Sequence, residues 1–306
     1  MKKQEVFGEN LSSSEDVITK ELIQSYLKED NKEFNINVYN SIDSTNLEAK
    51  RNVEKVGELR NLKGELTKAG KKLNKSVFIA ETQTSGKGRM GREFVSKEYS
   101  GAYFSLLYSP AKTIDNPAIL TAIAAVAVCE SIEENYNISA KIKWVNDIFI
   151  NGKKIAGILT EGLLNQKKGI LETAIIGIGI NVKKMVFPES ISKIAASIED
   201  FSDNKKNISR NKLIADICSK LFGFYDEIER GGSSVIKNLM KSYRERSVLI
   251  GKSIVVNPLP GLEGDMYNAI VKNIDDNGFL VVETENHKEI VLNSGEVTLK
   301  SDKIIC

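Results

Sequence analysis

The stretch Thr84-Ser85-Gly86-Lys87-Gly88-Arg89-Met90-Gly91-Arg92 decides between two fold classes. Its Gly86-x-Gly88-x-x-Gly91 spells the dinucleotide-binding fingerprint, which needs a strand before it, a helix entered at the motif and an acid ~20 residues on. A strand does precede it, in the apolar run Val77–Ala80. After it come Ser96, Gly101 and the apolar run Tyr103–Tyr108, which predicts a second strand where the fingerprint requires a helix. The G-x-x-x-x-G-K-[ST] phosphate loop is absent as well. The stretch is therefore a loop between two strands. It holds three glycines and three cations in nine residues, with no acid among them. Glycine lets backbone approach a ligand closely, and Lys87, Arg89 and Arg92 supply charge for a phosphate or carboxylate. The composition suits a loop that closes over an anion.

Beyond the loop, Pro117 to Asn135 predicts a long helix, capped by Asn116 or Asp115, with Pro117 in its first turn. Its surface is apolar nearly all round, so it should be buried. A meander comes next: Lys141–Ile150 as one strand, Asn151-Gly152 as a type I′ turn, Lys153–Leu163 returning and Gly169–Val182 as a third strand. Helices are expected near Arg210–Arg230 and Ser233–Arg246. Upstream, apolar spacing predicts a helix over 12–30 with start signals at Ser12 to Glu15. Thr45-x-x-Glu48 has the capping-box pattern for a second helix. Arg51 to Lys75, with eight basic and three acidic residues, predicts a solvated helix end and a loop. From Val248 the texture changes to short strands: Ile254–Val256, Tyr267–Ile274, Phe279–Glu283, Glu289–Leu292 and Val297–Leu299. Turns at Asp276-Asn277-Gly278 and Asn293-Ser294-Gly295 separate them, as in a small barrel.

Composition removes several classes of function. A chain of 306 residues with 41% hydrophobic content can bury a real core, and a net charge of +2 does not call for nucleic acid. Cys129, Cys218 and Cys306 lie far apart, with neither metal-ligand spacing nor a disulfide framework, which points to a reducing cytoplasm. A single histidine, His287, argues against His-based triads and His-rich metal sites. The charged N-terminus lacks an apolar signal core, and no window is long and apolar enough for a membrane span.

Further clusters carry chemistry. In Lys143-Trp144-Val145-Asn146-Asp147, a lysine and a carboxylate near one strand end suit a phosphate and Mg²⁺ respectively. Past the Asn151-Gly152 turn, strand alternation puts Lys154, Ala156 and Ile158 on one face, where small neighbours leave room for a ligand carboxylate. In Gly177-Ile178-Gly179-Ile180-Asn181, two glycines on one strand face admit a flat ligand or another backbone. Asp43-Ser44-Thr45-Asn46 reads equally as a helix cap and as a helix N-terminus offering N–H groups to a polar ligand. Each cluster also has a plain structural reading: an exposed hairpin lysine, a core tryptophan, a packing glycine.

Taken in order, these pieces closely resemble the biotin protein ligases (biotin–[acetyl-CoA-carboxylase] ligases). The likeness runs through Asp43–Asn46, Ala80–Arg92, Lys143–Asp147, Lys153–Leu159, Gly177–Val182 and Ser294–Leu299, covering residues ~40 to ~300. It implies an α+β fold: a mixed, largely antiparallel sheet packed with helices, of the class II aminoacyl-tRNA synthetase and biotin protein ligase kind, plus a small C-terminal SH3-like β-barrel. It divides the chain into an N-terminal helical segment (1–35), a catalytic domain (36–247) and the C-terminal domain (248–306). The implied reaction joins biotin to ATP, with Mg²⁺, as biotinyl-5′-AMP, then passes biotin to a lysine of a biotin carboxyl carrier protein. Such chemistry needs cations to offset the repulsion between a carboxylate and a triphosphate, and needs no protein nucleophile.

By motif position, the resemblance assigns Ser44, Thr45, Asn46 and Gln83 to biotin's polar end, and Gly86, Lys87, Gly88 and Arg89 to the loop around biotin and its carboxylate. Gly157, Gly177 and Gly179 line the biotin pocket. Arg89, Arg92, Phe94, Lys143, Asn146 and Asn181 face ATP, Asp147 faces the metal, and Lys154 bridges the biotin carboxylate and the α-phosphate. Lys154 and Arg89 are the implied catalytic residues. The chain departs from the family pattern at Lys87, usually arginine; at Val145, usually proline; and at Phe94, often tryptophan. Lys87 keeps charge but loses the bidentate fork, and Phe94 stacks without a donor. About forty residues precede Asp43 and show one helix, too few for a winged helix-turn-helix, so no direct DNA binding and no membrane partner are expected; a homodimer through a sheet edge is left open. The alternatives are a lipoate or octanoate protein ligase, which shares the adenylate logic, and a biotin-responsive regulator.

Overall fold

A computed structural model describes residues 16–27, 34–61, 63–110, 116–165, 170–203, 208–257 and 265–299. Its larger sheet is built from β1 (Asn35–Ile42), β2 (Ser76–Gln83), β3 (Gly101–Tyr108), β4 (Lys141–Lys143), β5 (Asp147–Ile150), β6 (Lys153–Asn165) and β7 (Ile170–Asn181). The order is β1-β2-β3-β7-β6-β5-β4. Only β1 and β2 run parallel; the other neighbours are antiparallel, so the sheet is mixed and largely antiparallel as expected. Asn151 and Gly152 both take positive φ, 46° and 76°, the type I′ geometry that joins β5 to β6 without splaying them.

One face of this sheet packs on α1 (Lys20–Tyr26), α4 (Pro117–Tyr136), α6 (Arg210–Glu229) and α7 (Ser233–Arg246). The Asn116 side chain caps α4 by accepting from Ala118 N, Pro117 starts it, and Asn137 ends it in the left-handed conformation. Ala124 to Cys129 are buried without interruption, which matches the all-round apolar pattern. Each fully buried Ile or Val there contributes about 1.5–3 kcal/mol. The opposite face carries α2 (Thr45–Val56) and α3 (Lys68–Leu73), with Ala49, Leu59 and Leu73 over Phe78, Leu107 and Ile175. A four-residue helix, α5 (Glu189–Ser192), lies beyond β7.

Five further strands, β8 (Ser253–Asn257), β9 (Tyr267–Ile274), β10 (Leu280–Thr284), β11 (Glu289–Leu292) and β12 (Glu296–Leu299), form an antiparallel sheet in the order β11-β10-β9-β8-β12. This is the small all-β unit expected after Val248. Its buried residues, among them Val271, Ile274 and Val282, join the same core as α4 and α7.

Four local expectations change. The helix expected over 12–30 spans Lys20–Tyr26, capped by Thr19; its proposed start signals at Ser12 to Glu15 and its residues 28–30 lie outside the described residues, as does Gly169. The Arg51–Lys75 stretch is not all loop: Thr67 Oγ1 accepts from Gly70 N at 3.0 Å and starts α3. The capping box at Thr45 does not form, because Ser44 is the cap residue and Thr45 begins the helix. Lys141–Ile150 is not one strand. It folds back at Trp144-Val145-Asn146 into β4 and β5, pairing Lys143 with Asp147. Tertiary bonds hold that turn: Trp144 Nε1 donates to Gly278 O (2.9 Å), and Tyr243 OH donates to Val145 O (3.0 Å).

The first turn of α6 carries a buried cation. Arg210 is 0% exposed and pairs with Glu81 of β2, while its main-chain N–H donates to Asp16 Oδ2 at 2.8 Å. Glu81 also accepts from Ile18 N and Tyr99 N. Asn211 accepts from Thr19 N (3.0 Å) and donates to Val17 O (2.9 Å). One ion cluster thus ties residues 16–19, α6 and the exit of β2. Removing one partner from such a buried pair leaves an uncompensated charge and costs about 3–5 kcal/mol. Glu81→Ala is expected to lower stability by about that amount, measured as a fall in the urea midpoint with unchanged slope.

Candidate active site

The cavity opens over β7, β6 and β5. Two cross-strand pairs line its floor, Gly179–Gly157 and Gly177–Leu159; Tyr103 and Ser105 of β3 continue these rows outside the lining. A β-carbon on Gly179 would lie 2.6 Å from the Phe94 ring, and one on Gly177 would overlap Asn46 Oδ1. The glycines thus seat Phe94 and Asn46 directly on the sheet. Phe94 also meets Tyr103 edge-on, with ring centroids 6.2 Å apart. Burial pushes the Tyr103 phenol up to about 12, so it stays protonated and donates to Lys97 O.

Asn46 sits in a polar chain at the start of α2. Thr45 N donates to Gln83 Oε1 (2.9 Å), and Gln83 Nε2 donates to Ser96 Oγ (2.9 Å). The Ser105 hydroxyl lies 2.7 Å from Thr45 Oγ1 and 2.6 Å from Asn46 Oδ1. Asn46 Nδ2 donates to Glu161 Oε2 at 2.6 Å. Asp43, one residue ahead of the cap, accepts from Ser44 N, and the Arg51 guanidinium bonded to it holds its carboxyl below the ordinary value.

The glycine-cation loop is an ordered hairpin. The backbones of Lys87 and Glu93 pair as an antiparallel β-bridge, Gly88 N donates to Arg92 O (2.7 Å), and Phe94 N donates to Gly86 O (2.9 Å). Its tip is a 3₁₀ turn over Arg89–Gly91. Arg89 reaches Asn146 Oδ1 and Gly295 O, both at 3.2 Å, and so links the loop to the β4–β5 turn and the approach to β12.

Lys154 arrives by an irregularity. The β5–β6 register runs Ile148↔Ala156 and then Phe149↔Lys154, leaving Ile155 as an extra residue. This bulge overturns the expected alternation: Ala156 and Ile158 are buried in the core, while Lys154 lies over the pocket beside Gly157. Lys154 Nζ sits 2.7 Å from Asp147 Oδ1. Lys154 N donates to Ile194 O (2.7 Å) and Ala196 N donates to Lys154 O (3.0 Å), so residues 194–196 clamp its backbone.

The cavity has a volume of about 720 Å³. It brings together Ser44, Thr45, Asn46, Gln83, Lys87, Gly88, Arg89, Arg92, Phe94, Lys143, Asn146, Asp147, Lys154, Gly157, Gly177, Gly179 and Asn181. Gly86 does not line it; a β-carbon there would overlap the Phe94 carbonyl, so this glycine lets the hairpin close. Asn146 and Asn181 also brace the wall, donating to Ile158 O (2.9 Å) and Ala196 O (3.1 Å). Sequence reading passed over Ser105, Glu161 and the segment Phe187–Ala195. Ser105 carried a signal, a hydroxyl inside an apolar strand; Phe187–Ala195 carried none, because it joins the wall only through the sheet's geometry.

Residues 57–181 match the Biotin/lipoate A/B protein ligase family, and residues 259–300 match the Biotin protein ligase C terminal domain. The chain is 37% identical over 211 residues to the Bifunctional ligase/repressor BirA of Bacillus subtilis, covering 68% of this chain and 62% of that protein. It thus spans less than two thirds of that relative's length. It is 26% identical over 238 residues to the Biotin--[acetyl-CoA-carboxylase] ligase of Mycobacterium tuberculosis, covering 75% of this chain and 80% of that one. Among solved structures, its fold resembles that of the biotin protein ligase from Aquifex aeolicus in complex with biotin and ATP. That likeness has a TM-score of 0.67 at 23% identity and covers 88% of this chain and 99% of that one.

The seating of Asn46 on Gly177 makes a specific expectation. Gly177→Ala overpacks the floor and is expected to cost about 1–3 kcal/mol. In an Asn46→Ala background the cost should shrink, because the colliding amide is gone. Denaturant unfolding of the two single variants and the double variant measures that coupling.

Proposed function

The chain belongs to the biotin protein ligase family, and on that premise we propose that it adenylates biotin with ATP and transfers biotin to a lysine of a carboxyl carrier protein. The observation that supports the reading is that Lys154, Arg89 and Lys87 line one cavity whose floor includes Gly157, Gly177 and Gly179, with Phe94 and Asn46 seated on the last two. A neutral ring can pack beside Phe94 in such a cavity, and a carboxylate needs such cations.

A carboxylate oxygen of biotin attacks the α-phosphorus; a P–O bond forms there as the bond to pyrophosphate breaks. Lys154 is suited to hold the attacking carboxylate and the α-phosphate together, because its backbone is clamped and its ammonium reaches the floor beside Gly157. Lys87 and Arg89 on the hairpin close over the adenylate; Arg92, Lys143, Asn146 and Asn181 face the nucleotide, with Phe94 between the two ligands. Ser44, Thr45 and Gln83 meet biotin's polar ring end through the open first turn of α2. In the second step a carrier lysine amine attacks the acyl carbon; the C–N bond forms, the C–O bond to phosphate breaks, and AMP and a proton leave.

Among the described residues no group of three or more His, Cys, Asp or Glu could hold a metal ion. A single carboxylate, Asp147, fits Mg²⁺ that comes with the triphosphate, since that ion is bound through one or two carboxylates plus phosphates and waters. When bound there, it supplies charge neutralisation for the phosphates. Among the described residues no helix is long and apolar enough to cross a membrane. The buried thiols Cys129 and Cys218 suit the reducing cytoplasm in which we expect the reaction to run.

Mixing the chain with biotin, MgATP and a carboxyl carrier domain should raise the carrier mass by one biotinyl group; incorporation of lipoate instead of biotin overturns the reading. Lys154→Ala should slow adenylate formation about 10²–10³-fold while the fold persists by circular dichroism. Lys87→Ala and Arg89→Ala should each speed adenylate release about tenfold, read by trapping labelled biotinyl-AMP on a filter; unchanged release in both removes the hairpin from the closing role.

A further inference from the structure

On the ligase reading, Lys154 serves the biotin carboxylate and Asp147 serves the ion that accompanies ATP. In the structure the two are bonded to each other, Nζ to Oδ1 at 2.7 Å, with side chains 33% and 24% exposed. Neither can part by moving its backbone. Asp147 is paired on one side with Lys143 and on the other with Gly157. Lys154 is held by Phe149, Ile194 and Ala196. Only side-chain rotation separates them, and the cavity that both side chains line, about 720 Å³, gives room for it.

Two carboxylates therefore compete for one ammonium when biotin enters alone. When Asp147 turns to a divalent cation held by the triphosphate, each carboxylate has its own counter-charge. We infer that Asp147 is the resting counter-ion of Lys154, competes with the substrate carboxylate for it, and gives it up fully when the metal–nucleotide binds. The inference rests on the ligase reading. Asp147 is then a positioning residue toward biotin as well as a metal contact, and the two substrates bind with positive coupling, reciprocal by linkage.

Calorimetric titration of biotin into the full chain, without nucleotide, tests this in the wild type, Asp147→Asn, Lys154→Met and the double variant. Asp147→Asn should bind biotin about fivefold tighter than wild type, the scale of a partly exposed ion pair. The gain should vanish when residue 154 is methionine, since it acts through the ammonium. Mg²⁺ with a non-hydrolysable ATP analogue should tighten biotin in the wild type and not in Asp147→Asn. Asp147→Ser, which likewise carries no charge to form an ion pair with the ammonium, must behave as Asp147→Asn does. Unchanged or weaker binding by the Asp147 variants overturns the inference. So does a gain that survives in Lys154→Met, which would mean plain like-charge repulsion. A wild-type chain that does not bind biotin overturns the ligase reading itself.

Discussion

A sheet whose central strand carries no side chain at Gly177 and Gly179 can be approached where an ordinary sheet cannot. Phe94 descends from the hairpin onto Gly179, and Asn46 descends from α2 onto Gly177. Those two contacts set how near the hairpin and the start of α2 lie to the floor. Ser105 and Thr45 meet in the space that remains, and the polar chain through Gln83 closes around them. On the reverse of the same strands, Ile178 and Ile180 bury fully against the helical layer. Alternation thus gives one strand a face packed on helices and a face of glycines, and the cavity lies on the glycine face.

The second anchor is electrostatic. Arg210 would be costly in the interior by itself, and unfavourable in the first turn of a helix. Glu81, the Asp16 carboxylate and the Gly101 carbonyl satisfy it. Glu81 lies two residues before Gln83, so the same cluster that docks residues 16–19 on α6 also fixes the strand end from which the cation hairpin departs. Core and site are joined at β2, with charge on one side of the strand end and a hydrogen-bonded amide on the other.

Much of this was legible in residue order. Asn151-Gly152 announced its turn, Asn116-Pro117 announced the start of α4, and the absence of a helix after Gly91 excluded the dinucleotide fold. Other features were hidden for identifiable reasons. The break of Lys141–Ile150 depends on bonds from Gly278 and Tyr243, which are far along the chain. The bulge at Ile155 is invisible to an alternation count, because an extra residue leaves no mark in composition; it moved Lys154 from the face of Ala156 and Ile158 to that of Gly157. Thr45 read as a cap from its spacing to Glu48, yet its hydroxyl faces Ser105 and Gln83. α3 was masked by its lysines, although Leu59 and Leu73 already formed an apolar pair that needed cover.

Residue order alone determined which side chains this protein brings to its chemistry: cations between glycines, a carboxylate and a lysine flanking a tight turn, and a strand with two bare positions. It could do so because turn geometry and close approach demand particular residues locally. The tertiary structure decided which of those groups face one another. Lys154 meets Asp147 only because a bulge rotates one strand by a residue, and Arg89 meets Asn146 and Gly295 only because three distant segments converge. Such pairings arise from register and packing across the sheet, and these are settled by the whole core rather than by any local stretch.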